Sequence, residues 1–283
     1  MNPPAIVDSH VHFWNPAQLR YAWLHELPVL NRSFLPADFA TVSLTSAVRK
    51  IIFVESGCDP TQSLAECDWV AGLAKSESRI KGIVAHAALE RGALVRPKLE
   101  ALAKCPLVKG VRRNLQGESD ADFCLSPEFL AGIGLLAEAG FTFDICIRHD
   151  QLRALSELVR RVPEVSFVLD HFGKPDVRGG KTEPWAADLK TLAAAPNVVC
   201  KFSGLTTETD WQHWQAADLM FYIEWAVECF GFDRALFGGD WPVATLATGY
   251  ARWIHTVNAM VESASEADRL KLFQTNAERI YHV

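Results

Sequence analysis

Eight short runs of β-branched and aromatic residues, each ending in polar side chains, constrain this chain more than any other feature. They are Ala5 to His10, Lys50 to Ser56, Ile80 to Ala85, Val108 to Arg113, Phe141 to His149, Ser166 to His171, Asn197 to Ser203 and Ala235 to Asp240. Their starts lie roughly 25 to 45 residues apart, which leaves room for a helix in each gap. Two gaps show the helix plainly. Asp59-Pro60 supplies a cap and a first-turn proline ahead of Leu64, Cys67, Ala71 and Ala74 at helical spacing. Asp150 is placed to cap a helix with Leu152, Leu155 and Val159 on one face, stopped by Pro163.

Eight alternating β and α units predict a parallel sheet, and closing it into a (β/α)8 TIM-like barrel removes both exposed edges. An open doubly wound sheet would place a glycine-rich phosphate loop after the first strand, where this chain has histidines. At 283 residues, with 49% apolar and 22% charged side chains, the chain has material for one large core, and residues 1–283 are read as a single domain. The stretch from Phe13 to about Ala47, with Trp14, Pro16, Tyr21, Trp23, Pro28 and Pro36, is too irregular for one helix and is expected to fold over the barrel mouth.

The formal charge of −6 and the lack of a basic run argue against nucleic acid or an anionic membrane as partner, so a small molecule is expected. Seven cysteines, an odd number without a Cys-X-X-Cys pair, argue against a disulfide framework and read mostly as small core hydrophobes. The opening Met-Asn-Pro-Pro-Ala-Ile-Val-Asp8 has no basic leader region, and no apolar stretch is long enough to span a bilayer. A cytoplasmic protein is the expectation. The oligomeric state is not fixed by the sequence.

In a barrel of this kind, reactive groups collect at the C-terminal ends of the strands. Strand one ends in His10 and His12, whose i, i+2 spacing turns two imidazoles to one face. Strand four ends in Arg112 and Arg113, strand five in His149, strand six in Asp170 and His171, and strand eight in Asp240. Side chains of these types, Asp240, His171 and Arg112 among them, can move protons or steady developing charge at a shared polar site. Arg112 also suits a substrate anchor, with a salt bridge inside the barrel as its rival role. Arg113, His149, Trp23 and Trp241 are candidate substrate contacts; for the tryptophans, packing at the mouth is the competing role. Glu55 and His86, at the ends of strands two and three, are candidate supporting partners.

The His10-X-His12 pair, Val-Leu-Asp170-His171-Phe-Gly-Lys-Pro175, Lys-Phe-Ser-Gly204-Leu, Phe-Gly-Gly-Asp240-Trp-Pro242 and the closing Asn276-Ala-Glu-Arg-Ile-Tyr281, in barrel order, resemble the amidohydrolase superfamily. Within it they are most similar to the branch that hydrolyses sugar lactones and dicarboxylate lactones. The opening Phe-Trp14-Asn-Pro16 and Leu-Arg20-Tyr-Ala-Trp23-Leu resemble the members acting on L-fucono- and L-rhamnono-lactones. The resemblance implies a lactone substrate opened by water, with Asp240 as base. It also implies a ligand set of His10, His12, His171 and Asp240, residue types that suit one zinc ion. Dinuclear members add a lysine on strand four; here Lys109 lies deeper than the arginines at the strand end, so a dinuclear centre is not expected. Members of the branch that work without metal keep a metal-independent site open. The alternatives are a 2-pyrone-4,6-dicarboxylate-type lactonase, for which Arg148, Lys174 and Arg178 are further possible cations, and a zinc-dependent decarboxylase of the same superfamily.

Overall fold

A computed structural model describes residues 4–283; Met1 to Pro3, the start of the segment read above for a leader, lie outside the described residues. Eight parallel strands follow one another round a single sheet: β1 Ile6–Val11, β2 Val48–Val54, β3 Ile80–His86, β4 Val108–Arg112, β5 Thr142–Ile145, β6 Phe167–Leu169, β7 Val198–Phe202 and β8 Ala235–Phe237. The ring is drawn together where β8 runs on towards β1. Asp240 N donates to His10 O at 2.8 Å and His12 N to Trp241 O at 2.7 Å. This is a (β/α)8 barrel, with α2 Ser63–Leu73, α3 Arg96–Ala103, α4 Pro127–Ala139, α5 Leu152–Arg161, α6 Trp185–Ala193, α7 Ala216–Phe230 and α8 Tyr250–Met260 between or after the strands. Before them α1 Pro36–Val42 joins β1 to β2, and after them come α9 Glu266–Leu270 and α10 Asn276–Tyr281.

The main apolar core lies between barrel and helices, and a smaller one fills the barrel's lower interior. The lower one packs Val7, Ile52, Val84 and Val199 against Tyr281 of α10. Lys50, at the start of β2, donates to Glu278 and to the Val283 carbonyl, which fixes α10 across the end where the strands begin. Chemistry is thereby left to the opposite end.

Several boundaries differ from the sequence reading, each for a local reason. β6 and β8 stop before Asp170 and Asp240 because His171 (φ 55°) and Asp240 (φ 51°) adopt left-handed backbone that no strand can continue. β5 stops before His149 because Arg148 N donates to the Gln151 side chain and opens a helical turn. Gln151 therefore makes the capping contact expected of Asp150, which is exposed. Asp59 does cap, accepting from Thr61 N at 2.9 Å. On α2 the buried face is Ser63, Glu66, Cys67 and Val70, so Leu64 points outward. The Phe13–Ala47 stretch folds as two short 3-10 turns, Ala22–Glu26 and Pro28–Leu30, followed by α1. All seven cysteines are free thiols, five of them buried. Among the described residues no helix is long and apolar enough to cross a membrane.

Candidate active site

His10, His12, His171 and Asp240 meet at the C-terminal end of the barrel, all buried. His10 Nε2 lies 3.1 Å from His12 Nε2. Asp240 Oδ1 stands 3.5 Å from His12 Nε2, 3.8 Å from His10 Nε2 and 4.0 Å from His171 Nε2. Each imidazole is held by its other nitrogen. His12 Nδ1 sits 2.8 Å from the Val54 carbonyl, His171 Nδ1 2.8 Å from Ser203 Oγ, and His10 Nδ1 3.2 Å from Asp170 Oδ1. A carbonyl can only accept, so His12 Nδ1 carries the proton and its Nε2 lone pair faces the centre.

Backbone geometry makes this convergence possible. Asp170 is followed by four left-handed residues, His171 to Lys174, a turn that swings the His171 ring over the barrel mouth. Gly204 supplies the space: at φ 59°, a Cβ there would come within 2.4 Å of His171 Nδ1 and 3.0 Å of Asp240 Oδ2. At Gly239 a Cβ would lie 2.5 Å from Asp8 Oδ2. Asp8 does not join the histidines. A register irregularity between Asp8 and Val11 lets its carboxylate accept from Gly239 N, His10 N and the Tyr250 hydroxyl instead.

Beneath the histidines lies a sealed charge network. Lys201, fully buried, donates to Asp144 Oδ2, lies 3.1 Å from Asp170 Oδ1 and stands 3.3 Å from His10 Nδ1. Tyr281 donates to Asp144 from below at 2.6 Å. Arg112 gives Nε to Glu55 Oε1 at 2.8 Å and Nη2 to the Glu55 carbonyl, with Nη1 3.4 Å from Asp170 Oδ2. Glu55 is pushed up by burial, but Arg112 and His86 outweigh that and hold it below its ordinary range. Asp170, opposed by the same burial, is held well down by Lys201, His10 and His171.

At the mouth the balance is different. Burial holds His10 and His171 well below the ordinary histidine range, so both are neutral at pH 7. Burial also opposes ionisation of Asp240, yet His171, His12 and Lys174 outweigh it, and the carboxylate is ionised. Its ion-pair-distance partners among the described residues are the three imidazoles, with no lysine or arginine.

The donors of His10, His12 and Asp240 fit a divalent cation. Tetrahedral zinc with ligands near 2.1 Å places neighbouring donors about 3.4 Å apart, and the distances among these three run from 3.1 to 3.8 Å, with His171 reaching Asp240 at 4.0 Å. His10 Nδ1 lies between Asp170 Oδ1 at 3.2 Å and the Lys201 ammonium at 3.3 Å, and because His12 Nε2 is unprotonated, its 3.1 Å contact with His10 Nε2 is one that a proton or a metal ion bridges. A second grouping, His10, Asp170 and His171, shares two of the same side chains.

The other candidates separate from this cluster. Arg112 gives Nε and Nη2 to Glu55, which is the salt bridge, and Nη1 reaches the site edge, 3.5 Å from His10 Nε2 and 3.4 Å from Asp170 Oδ2. Arg113 turns to the opposite side of β4, onto Glu90, Glu118 and the Phe123 ring. His149 is half-buried at the start of its turn, near enough to Asp176 to favour that carboxylate's charged form. Trp241 is buried among Phe13, Phe34 and Phe39, which makes it a packing residue. Trp23 stacks edge-on against Trp14 and donates to the Ser56 carbonyl. It stands beside a cleft of about 490 Å³ whose lining includes Arg20, Tyr21, His25, Asn31, Gly57 and Cys58. Lys201 and Asp144 were not singled out from the sequence. A lysine within the apolar strand Val-Val-Cys-Lys201-Phe was the available signal, because burying an unpaired charge is costly.

The amidohydrolase family model matches residues 7–283, and the chain belongs to that family. An L-fucono-1,5-lactonase of Burkholderia multivorans is 33% identical over 97% of this chain and 95% of its own length. A crystal structure of an amidohydrolase from Burkholderia multivorans with bound zinc superposes with a TM-score of 0.88 at 31% identity, covering 99% of this chain and all of that one. A putative 2-pyrone-4,6-dicarboxylic acid hydrolase from Pseudomonas putida superposes with a TM-score of 0.76 over 98% of this chain and 97% of its own, but at 20% identity it shares the fold alone.

Proposed function

We propose that this chain opens a small sugar-derived lactone, of the L-fucono- or L-rhamnono-lactone kind, to its hydroxy acid, with Asp240 as general base. The observation that carries the proposal is Asp240 Oδ1 within 4.0 Å of three inward-facing imidazole nitrogens. The relatives named as lactonases support the reaction class. Asp240 is ionised and so able to take a proton from water as it attacks the lactone carbonyl, then return it to the departing ring oxygen. The low pKa of Asp240 makes it a weak resting base, and its value lies in position. His10, His12 and His171 border the place where charge develops on the carbonyl oxygen, and their anchored Nδ1 atoms keep them from reorienting. The same four side chains would hold a zinc ion, which when bound supplies Lewis-acid polarisation of that carbonyl.

A dicarboxylate lactone would call for several free cations. Of the cations named for it, Arg112 is committed to Glu55, Arg113 to Glu90 and Glu118, and Lys174 stands beside the Glu208 carboxylate, which favours a less anionic substrate. The test is proton release measured with a pH indicator over a panel of aldonolactones and the pyrone dicarboxylate lactone. Chelator-treated protein is compared with and without added zinc, and wild type with Asp240→Asn. The wild type is expected to open an aldonolactone, and Asp240→Asn to lose about 10³-fold in kcat while remaining folded. Silence of the wild type on every lactone, with carbon dioxide released from an aromatic acid, would move the assignment to a decarboxylase.

A further inference from the structure

One ammonium group at the mouth keeps unused donors. The Arg112 fork is filled by Glu55, and Lys201 is closed in beneath His10. Lys174 differs from both. It ends the left-handed run His171 (φ 55°), Phe172 (57°), Gly173 (68°) and Lys174 (48°), and non-glycine residues in that region carry strain of the kind that gathers at functional sites. Its Nζ lies 3.3 Å from Glu208 Oε1, and the two side chains are 16% and 17% exposed, too covered for an ordinary surface pair yet open to a ligand. Glu208 ends the turn Leu205–Glu208 after β7, so the pair spans the loops that follow β6 and β7. Thr207 Oγ1 lies 3.3 Å from the same Oε1 but gives its one proton to the Gly204 carbonyl at 2.7 Å, and among the described residues nothing donates to Oε2. Lys174 closes the turn that carries His171, and the Glu208 turn begins right after Gly204, the residue packed against His171 and Asp240, so the pair stands on the site's side of the mouth.

An ammonium with free donors beside a carboxylate oxygen with a free lone pair complements a hydroxyl, which accepts one hydrogen bond and donates another. We infer that Lys174 and Glu208 form the specificity-determining pair of this site, gripping adjacent hydroxyl groups of a polyhydroxylated lactone. The inference rests on the lactonase reading and narrows its substrate class. A neutral polyol ring is matched by donor and acceptor together, whereas a carboxylate substituent would meet Glu208 as a like charge.

The test compares a six-membered aldonolactone with δ-valerolactone, the same ring without hydroxyls, using wild type, Lys174→Met and Glu208→Gln. The preference for the hydroxylated ring, taken as the ratio of the two kcat/KM values, is expected to fall about tenfold or more in each variant, chiefly through KM. Circular dichroism and melting temperature establish that the variants are folded. Equal slowing of both lactones would show that the pair only props the loops, and an unchanged ratio would likewise overturn the inference. A wild type that opens neither ring would sink the lactonase reading itself, and this inference with it.

Discussion

The lower interior of the barrel and its mouth are built from similar side chains and put them to opposite use. Below, Lys201 and Arg112 are spent on Asp144, Asp170 and Glu55, and Tyr281 adds a further bond. Above, three imidazole nitrogens face a carboxylate oxygen that, among the described residues, has no lysine or arginine at ion-pair distance. Residue type alone does not separate a buried brace from a reactive site. What separates them is whether each charge already has its partner.

Replacing Lys201 with Met is the hardest blow to this contrast. It would leave Asp144 and Asp170 buried without their shared cation, at a cost of about 3–5 kcal/mol. Adding Asp144→Asn should recover part of that loss, since the carboxylates no longer both need the lysine. Urea unfolding of wild type, single and double variants reads the difference. A single variant as stable as wild type would mean that the network is not the brace described.

Glu66 offers a smaller and more pointed test, because it is a closed-in carboxyl with no lysine or arginine of its own. It faces Ser56 N at 3.3 Å and lies close to Glu55. Burial, reinforced by Glu55, raises its pKa from 4.5 to about 8. The unfolded chain therefore releases this proton near pH 4.5 while the folded chain holds it to about pH 8. Between those values the native state binds more protons, so stability from this group falls as pH rises through the window and the loss is complete above it. Glu66→Gln should flatten that decline in melting temperature between pH 5 and pH 8. An identical slope in both proteins would contradict the assignment.

Much of this was legible in the chain. The eight strands, the His10-X-His12 pair, His171 and Asp240 stand out because strand-end polarity and alternation are local patterns. The rest depends on contacts between distant residues. Arg112 and Arg113 are neighbours, but alternation along β4 sends one into the barrel and the other out to Glu90, and only Glu55 on another strand decides how the first is spent. Trp241 reads as a mouth residue until Phe13, Phe34 and Phe39 enclose it. His149 fell outside the cluster because Gln151 ends the strand early through a bond to Arg148 N. Lys201 was visible only as a lysine in an apolar strand, since its partners come from β5, the turn after β6, and β1.

The most direct test of the open-donor account is calorimetric titration of chelator-treated protein with zinc, wild type beside His12→Asn. The arrangement predicts one ion bound per wild-type chain and loss of that binding in the variant, whose Nε2 no longer faces Asp240. No binding by the wild type, or unchanged binding by the variant, would contradict the claim that the mouth is a set of open donors.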